Sequence, residues 1–207
     1  MTGNRLELVE LTGPDDPHFL PWLDLYETAF PPNERMLVSY QLNLLTEKAH
    51  GGAKRHAILA VADADHALKG LVEYELLPDA GAVYLWYLAI QPSDRGQGSG
   101  SDVYRQLLER IDPDTYRILI FEVEKPELAH SEEQRAFAER RIAFYRRLGA
   151  RLMSGIEYLQ YVGSHQPATP MFIMVHPMRP VEPQQAYDLA AAVFADAIRQ
   201  VGTITLD

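Results

Sequence analysis

A glycine-rich turn stands between an apolar run and an amphipathic segment near the middle of the chain. The apolar run Ala82 to Ile90 is closed by Pro92, and the turn then reads Arg95-Gly-Gln-Gly-Ser-Gly100. From Ser101 to Ile111 the apolar residues recur at helical spacing. The pattern predicts a strand, a turn with few side chains, and a helix. The first amides of a helix lack intrahelical partners and carry a positive partial charge, so this layout favours binding of an anion such as phosphate.

Three phosphate-binding motifs place glycines at such a turn. A P-loop would need a Gly-Lys-Ser/Thr, which this turn lacks. A Rossmann fingerprint reads G-x-G-x-x-G and is followed by an acidic ribose ligand, whereas this run reads G-x-G-x-G. The remaining pattern is Arg/Gln-x-x-Gly-x-Gly/Ala, here Arg95, Gly98 and Gly100. A glycine-rich turn that serves only tight packing is the alternative.

Strand and helix patterns alternate along the rest of the chain. Period-two alternation and short apolar runs predict strands at residues 5–11, 57–62, 68–77, 82–90, 116–124, 151–162 and 171–176. Helical spacing predicts helices at residues 19–30, 34–48, 101–111, 131–148 and 182–200. Ser131-Glu-Glu-Gln134 is a capping-box pattern that opens the fourth helix. This order indicates an α/β fold, a mixed sheet with helices on both faces, and the absence of repeats or a clear boundary predicts one domain over 1–207.

Composition narrows the classes of function. The 207 residues contain no cysteine, which excludes disulfides, thiolate nucleophiles and thiolate metal ligands. A formal net charge of −10 disfavours nucleic acid and anionic membrane surfaces as partners and mildly favours a cationic substrate. There is no apolar leader at the N-terminus and no apolar run long enough to span a bilayer, so a cytoplasmic location is expected. The histidines show no metal-ligand spacing, so no metal is expected.

The glycine turn resembles the coenzyme A pyrophosphate loop of the GNAT superfamily of N-acetyltransferases. Three further phrases resemble the same family: Leu85-Trp-Tyr-Leu-Ala-Ile-Gln-Pro92 its fourth strand, Phe144-Tyr-Arg-Arg-Leu-Gly149 its F-Y-x-x-x-G segment, and Phe30-Pro-Pro-Asn-Glu-Arg35 a phrase between its first two helices. The resemblance covers about residues 5–178 and leaves the helix at 182–200 outside.

Three positions near the F-Y-x-x-x-G segment depart from the family pattern. Ala138 stands where many relatives have an asparagine, Arg141 where a small residue is usual, and Ala150 where an aromatic residue is usual. These departures concern the fourth helix and leave the glycine turn and Tyr145 unchanged.

The resemblance implies a mainly antiparallel central sheet in which the fourth and fifth strands form a splayed parallel pair. It implies acetyl-CoA as cosubstrate and direct attack by a primary amine of a small molecule or peptide. The backbone of Leu88 and Ile90 would bind pantetheine, and Tyr145 would donate a proton to the departing thiolate, with a core tyrosine as the alternative. The pyrophosphate would be held by the amides of Arg95, Gly96, Gln97, Gly98, Ser99 and Gly100.

A base should remove a proton from the amine before it attacks, because an amine like that of lysine has a pKa near 10.4 and is almost wholly protonated at neutral pH. The candidates are Glu122 and Glu124, which share one face of the fifth predicted strand, and Glu73. For the first two, an ion pair with Arg140 or Arg141 is the alternative.

The aromatic side chains of Tyr84 and Trp86 are candidates for the acceptor pocket, and sheet core is their alternative. Two other classes of protein remain open: a GNAT-like module that binds or senses acyl-CoA without turnover, and an interaction protein. For the latter, the face of the last predicted helix would dock a partner, pack on its own domain, or form a homodimer. That face carries Tyr187, Ala191, Phe194 and Ile198. The sequence does not identify the acceptor amine.

Overall fold

A computed structural model describes residues 6–163 and 166–207 of the chain. Within them the helices are α1 Phe19–Ala29, α2 Val38–Ala49, α3 Ser99–Glu109, α4 Glu132–Arg147 and α5 Pro183–Phe194. The strands are β1 Glu7–Glu10, β2 His56–Ala62, β3 Leu68–Leu77, β4 Ala82–Ile90, β5 Ile118–Glu124, β6 Arg151–Gln160, β7 Thr169–Pro177 and β8 Ile198–Leu206. Arg5, where the first predicted strand begins, and residues 164 and 165 of the predicted loop at 163–170 lie outside the described residues.

The strands form a mixed, mostly antiparallel eight-stranded sheet with one parallel pair, β4 and β5, which confirms the predicted fold class. The chain divides into two compact units. The first comprises the described part of Met1–Leu76 together with Leu85–Ile111, and the second comprises Leu77–Tyr84 and Asp112–Asp207. The expectation of a single domain stays a prediction.

In the first unit, β2 pairs antiparallel with both β1 and β3, and His56 lies opposite Glu75. Every residue of β2 is buried, because α1 and α2 cover one face of the strands and α3 lies beside β1. The apolar core under α1 and α2 contains Trp22, Tyr26, Leu45, Ile58, Leu71 and Tyr87. After His56, β2 is a continuous apolar run, as expected of a strand that is buried along its whole length.

In the second unit, β4 pairs with β5 through Ala82–Ile118, Val83–Leu119 and Tyr84–Ile120, and β5 then continues to Glu124. β5, β7, β6 and β8 follow in antiparallel order. Two helices cover opposite faces of β5. α5 packs over Ile118 and Ile120, whereas Phe121 meets α4 through a ring contact with Tyr145 at 4.4 Å.

The C-terminal segment differs from the prediction. The helix predicted at 182–200 ends at Phe194, and β8 then pairs antiparallel with β6. The helical spacing of apolar residues continues past Phe194. The nine residues of β8, however, are rich in β-branched side chains, which favour a strand. Pairing with β6 also satisfies the backbone groups of the segment.

The apolar face predicted on the last helix packs within its own unit. Tyr187, Ala191 and Phe194 join the apolar cluster that contains Ile118 and Ile173. The Phe194 ring lies 5.4 Å from that of Tyr84 and 4.7 Å from that of Tyr158. The face thus has a packing role inside the unit, and the homodimer stays a prediction.

Candidate functional site

The glycine turn has an unusual backbone conformation, and no other described part of the unit packs closely against it at Gly96 and Gly98. Gly96 and Gly98 have φ angles of 77° and 90°, in the left-handed region that favours glycine. A Cβ atom at either position would meet no atom within 4 Å, so the space in front of them is open. Arg95 anchors the turn to the end of β4, since its Nε donates to the Ile90 carbonyl oxygen at 3.0 Å. Tight packing therefore does not explain the glycines at 96 and 98.

The turn leads directly into α3, whose N-cap residue is Gly98. The helix begins at Ser99, two residues before its predicted start, so Ser99 and Gly100 belong to its first turn. The carbonyl oxygen of Gly98 accepts from the amides of Ser101 and Asp102, at 2.9 and 3.1 Å. Gly98 has no side chain that could cap the earlier amides, so the amides of Ser99 and Gly100 are suited to bind an external anion.

Leu88 and Ile90 lie on β4 just before the turn. The Ile90 carbonyl oxygen already accepts from Arg95, and a carbonyl oxygen can accept a second bond. The pantetheine contacts of these two residues stay a prediction.

Glu122 lies in β5 as a buried carboxylate held by two tyrosines. Its Oε1 accepts from the hydroxyl groups of Tyr84 and Tyr158, each at 2.6 Å, which is short enough for charge-assisted bonds. Burial raises the pKa of Glu122, while the bonds from Tyr158 and Tyr84 and the charge of Arg141 lower it. A carboxyl group with a raised pKa holds a proton more readily than an exposed one, which suits a base.

Tyr158 was missed by the sequence analysis. It lies in β6, 36 residues from Glu122 along the chain. In the sheet, β5 and β6 lie on either side of β7, and the Tyr158 hydroxyl reaches across to the carboxylate. The strand order is not visible in the sequence, so no local signal pointed to this bond. Tyr84 was predicted as an acceptor-pocket residue, and its hydroxyl is part of the Glu122 network.

Glu124 takes part in the ion pair that was the alternative to catalysis. Its Oε1 lies 2.8 Å from Nη1 of Arg141, and both side chains are about three-quarters buried, with 24% and 22% of their areas exposed. Arg141 lies one turn before Tyr145 on α4, and its side chain also hydrogen-bonds the Tyr145 hydroxyl. Arg141 therefore connects two of the predicted catalytic residues.

Tyr145 lies in the core of its unit. Its side chain is buried, and its ring lies 4.4 Å from that of Phe121 and 5.0 Å from that of Phe144. Burial raises the pKa of Tyr145, and the neighbouring Arg141 lowers it, so the phenol keeps its proton at neutral pH. The core alternative describes the ring correctly, while the catalytic role of the hydroxyl stays a prediction.

A second buried carboxylate, Glu73, lies in the first unit on β3. Its Oε1 accepts from Nε2 of His56 at 2.7 Å and from Nε2 of Gln41 at 3.3 Å. Its Oε2 is buried and has no hydrogen-bond partner among residues 6–163 and 166–207. His56 and Gln41 were missed by the sequence analysis, although the short turn between β2 and β3 fixes a register that brings position 56 near Glu73.

Trp86 belongs to this polar and aromatic region of the first unit. Its Nε1 donates to Oε2 of Glu75 at 3.3 Å, and its ring lies 5.8 Å from that of His56 and 6.3 Å from that of Tyr40. A cleft of about 410 Å³ opens here, with Tyr40, His56 and Glu75 among its lining residues. Its size is typical of a small-molecule site.

Two further observations concern the described part of the chain. None of its helices is both long enough and apolar enough to cross a membrane. Its histidine, aspartate and glutamate side chains form no group of three or more that could hold a metal ion.

The fold is shared with acetyltransferases of known structure. A protein from Bacteroides thetaiotaomicron assigned to the GNAT family of acetyltransferases is 23% identical, with a TM-score of 0.68 over 92% of this chain and 98% of that chain. The ribosomal-protein-S18-alanine N-acetyltransferase of Escherichia coli is 16% identical, with a TM-score of 0.54 over 86% of this chain and 97% of that chain.

The spermidine/spermine N-acetyltransferase of Vibrio cholerae is 15% identical, with a TM-score of 0.58 over 84% of this chain and 93% of that chain. No protein-family model matches the sequence, and no curated protein matches it. The chain has the fold of the GNAT acetyltransferases, which is the fold that the resemblance in its motifs implies.

Proposed function

We propose that the protein is an N-acetyltransferase that moves the acetyl group of acetyl-CoA to a primary amine by direct attack. The observation that carries the proposal is the open, left-handed turn at Gly96 and Gly98, placed between β4 and α3 in a GNAT fold. There, backbone amides from Arg95 to Gly100 would hold the pyrophosphate, and β4 at Leu88 and Ile90 would bind the pantetheine arm.

In the proposed reaction the amine nitrogen attacks the thioester carbonyl carbon, the C–S bond breaks, and coenzyme A leaves as a thiolate. Glu122 is our first candidate for the base that accepts the amine proton, because its buried carboxyl has a raised pKa and Tyr84 could pass the proton to it. Glu124 is the second candidate, although its Oε1 is held in the ion pair with Arg141 at 2.8 Å.

Tyr145 is the candidate acid in this proposal. A thiol has a pKa near 8.5, so a phenol can bond or protonate the thiolate at modest cost, and the bond from Arg141 makes the phenol a better donor. The structure places Tyr84, Glu122, Glu124 and Tyr145 in the second unit. Leu88, Ile90 and the glycine turn belong to the first.

Two variants of one position test the pyrophosphate site. Aspartate and asparagine are nearly isosteric, and both tolerate a left-handed backbone better than most residues, so Gly98→Asp and Gly98→Asn differ mainly in charge. We expect Gly98→Asp to weaken acetyl-CoA binding in calorimetry at least tenfold more than Gly98→Asn, because a carboxylate repels the pyrophosphate. Equal affinities in two folded variants would show that this turn does not bind the pyrophosphate.

A thiol-release assay with acetyl-CoA over a library of amines tests the reaction itself. Acetyl-CoA-dependent thiol release with any primary amine supports the enzyme. Tight acetyl-CoA binding without turnover of any amine would instead indicate a protein that binds or senses acyl-CoA.

A further inference from the structure

The cleft of the first unit has an uneven distribution of charge. Its charged and aromatic lining residues are Tyr40, Glu47, Lys54, Arg55, His56 and Glu75. Glu47, Lys54 and Arg55 are exposed at its rim, where solvent screens their charges. Glu75 and Tyr40 are half-buried and His56 is buried, so the inner wall carries a carboxylate, a phenol ring and an imidazole.

Negative charge is concentrated behind this inner wall. Glu73 is fully buried, and only one of its carboxylate oxygens is hydrogen-bonded within the described part of the chain. Burial, followed by the charges of Glu73, Glu75 and Glu47, raises the pKa of Tyr40 to about 12. Three carboxylates thus act on one phenol that faces the cleft, and a charge in a poorly solvated site acts more strongly than one in water.

Trp86 adjoins the inner wall of the cleft through contacts with three of its residues. Trp86 donates to Oε2 of Glu75 and fixes that carboxylate, and its ring lies beside those of Tyr40 and His56. A carboxylate next to aromatic rings is a suitable environment for an organic ammonium group, which gains both ion pairing and cation–π attraction. Lys48 donates to the His56 backbone oxygen and to Glu10, so its charge is already paired.

The cleft is also close along the chain to the proposed thioester site. Trp86 precedes Leu88 by two residues of β4, a separation of roughly 7 Å in an extended strand. A short aliphatic chain spans such a distance. The nitrogen that attacks the thioester must be neutral, so a cation held in the cleft would be a different group of the same acceptor.

We propose that this cleft binds a second, unreacted ammonium group of the acceptor, so that the preferred substrates are aliphatic amines with two cationic ends. The inference rests on the proposed acetyltransfer, because it assigns the far end of the acceptor. Glu75 makes the ion pair, Tyr40 provides the aromatic face, and Glu73 strengthens the negative potential from behind. Lys54 and Arg55 at the rim attract an anion and repel a cation. The rim alone therefore predicts the opposite preference, for an acceptor with a carboxylate at its far end.

Three amines of equal chain length test this substrate class. Cadaverine has two amino ends, pentylamine has one, and the third, 5-aminopentanoate, has a carboxylate in place of the second aminomethyl group. We expect kcat/KM in thiol release to be about tenfold higher for cadaverine than for pentylamine, the effect of one partly screened ion pair. A preference for aminopentanoate would assign the rim cations as the recognition element and would overturn the proposal.

The variants Glu75→Gln and Tyr40→Leu locate the effect. Glutamine keeps an oxygen that can accept from Trp86 but removes the charge, so the cadaverine preference should fall to less than twofold. Glu7→Gln is the matched control, since Glu7 lies exposed on β1 and loses the same charge outside the cleft. If the preference survives both Glu75→Gln and Tyr40→Leu, the cleft does not hold the second ammonium group.

Calorimetry separates this proposal from the proposed function. Cadaverine titrated into the protein without acetyl-CoA should bind the unchanged chain and the Glu7→Gln variant, and bind Glu75→Gln at least fivefold more weakly. If all three amines are acetylated equally well, the enzyme stands and the cleft assignment fails. If cadaverine binds through Glu75 but no amine is acetylated, the cation site stands and the acetyltransfer fails.

Discussion

Replacing Tyr158 with phenylalanine removes one of the two hydroxyl groups that hold the buried carboxylate of Glu122. The ring and its contact with Phe194 remain, so the change isolates a 2.6 Å hydrogen bond. A bond to an ionised carboxylate contributes about 1.5–3 kcal/mol, and a bond between neutral groups about 1 kcal/mol. The loss of stability should therefore depend on whether Glu122 is ionised.

The direction of this pH dependence follows from the raised pKa of Glu122. Because burial raises that pKa above the ordinary carboxyl value, the folded protein binds the proton more tightly than the unfolded chain does. The contribution of Glu122 to the free energy of unfolding is thus fully present below the ordinary carboxyl pKa, near 4.3, and falls as the pH rises through the raised value. Tyr158→Phe raises the pKa of Glu122 further, since it removes a bond to the charged form, so its cost grows with pH.

Urea denaturation at an acidic and a mildly alkaline pH measures the effect. We expect Tyr158→Phe to lower the free energy of unfolding by about 1 kcal/mol at the acidic pH and by about 2 kcal/mol at the alkaline pH. The larger loss corresponds to a drop in Tm of roughly 4–8 °C for a chain of this length. Tyr161→Phe is the control, because 61% of Tyr161 is exposed. A loss that is the same at both pH values would refute the assignment of Tyr158 as a donor to an ionising Glu122.

Three further predictions concern turnover and backbone strain. Tyr145→Phe should lower kcat roughly ten- to a thousandfold with little change in acetyl-CoA affinity. Normal turnover, measured where the chemical step limits the rate, would leave the hydroxyl only a packing role. Glu122→Gln should lower kcat and flatten the rise of kcat with pH, whereas Glu124→Gln should mainly lower the melting temperature. Profiles of rate against pH and thermal melts measure the two effects, and the reverse outcome would make Glu124 the base. Gly155→Ala should destabilise the protein by more than Gly96→Ala in urea titrations, because both positions have positive φ but only at 155 would a Cβ collide with the backbone of β8. Equal losses of stability in the two variants would show that the positive φ, and not the close approach to β8, determines the cost of the substitution.

Local patterns in the sequence were sufficient for most elements and for the glycine turn. The serine cap at Ser131 forms, with its hydroxyl accepting from the Gln134 amide at 3.2 Å, and the Gln134 side chain accepts from the amide of His130 at 2.9 Å. Gly149 takes the left-handed position after α4. These features are decided by residues within one turn of each other, so they can be predicted from their spacing. The Glu124–Arg141 pair was also foreseeable as an alternative, because a buried charge needs a partner and Arg141 stands where a small residue is usual.

Only the tertiary structure decided the surroundings of the two buried carboxylates and the fate of the C-terminus. Tyr158 reaches Glu122 because two strands from distant parts of the chain lie on either side of β7, and β8 forms because β6 offers it an edge to pair with. Helical spacing up to Ile198 gave no sign of that edge, since pairing energy depends on a partner strand that the local sequence does not contain. Side-chain chemistry and short-range spacing are properties of the sequence itself, whereas burial, and with it the pKa of Glu122, arises only when distant segments exclude water together.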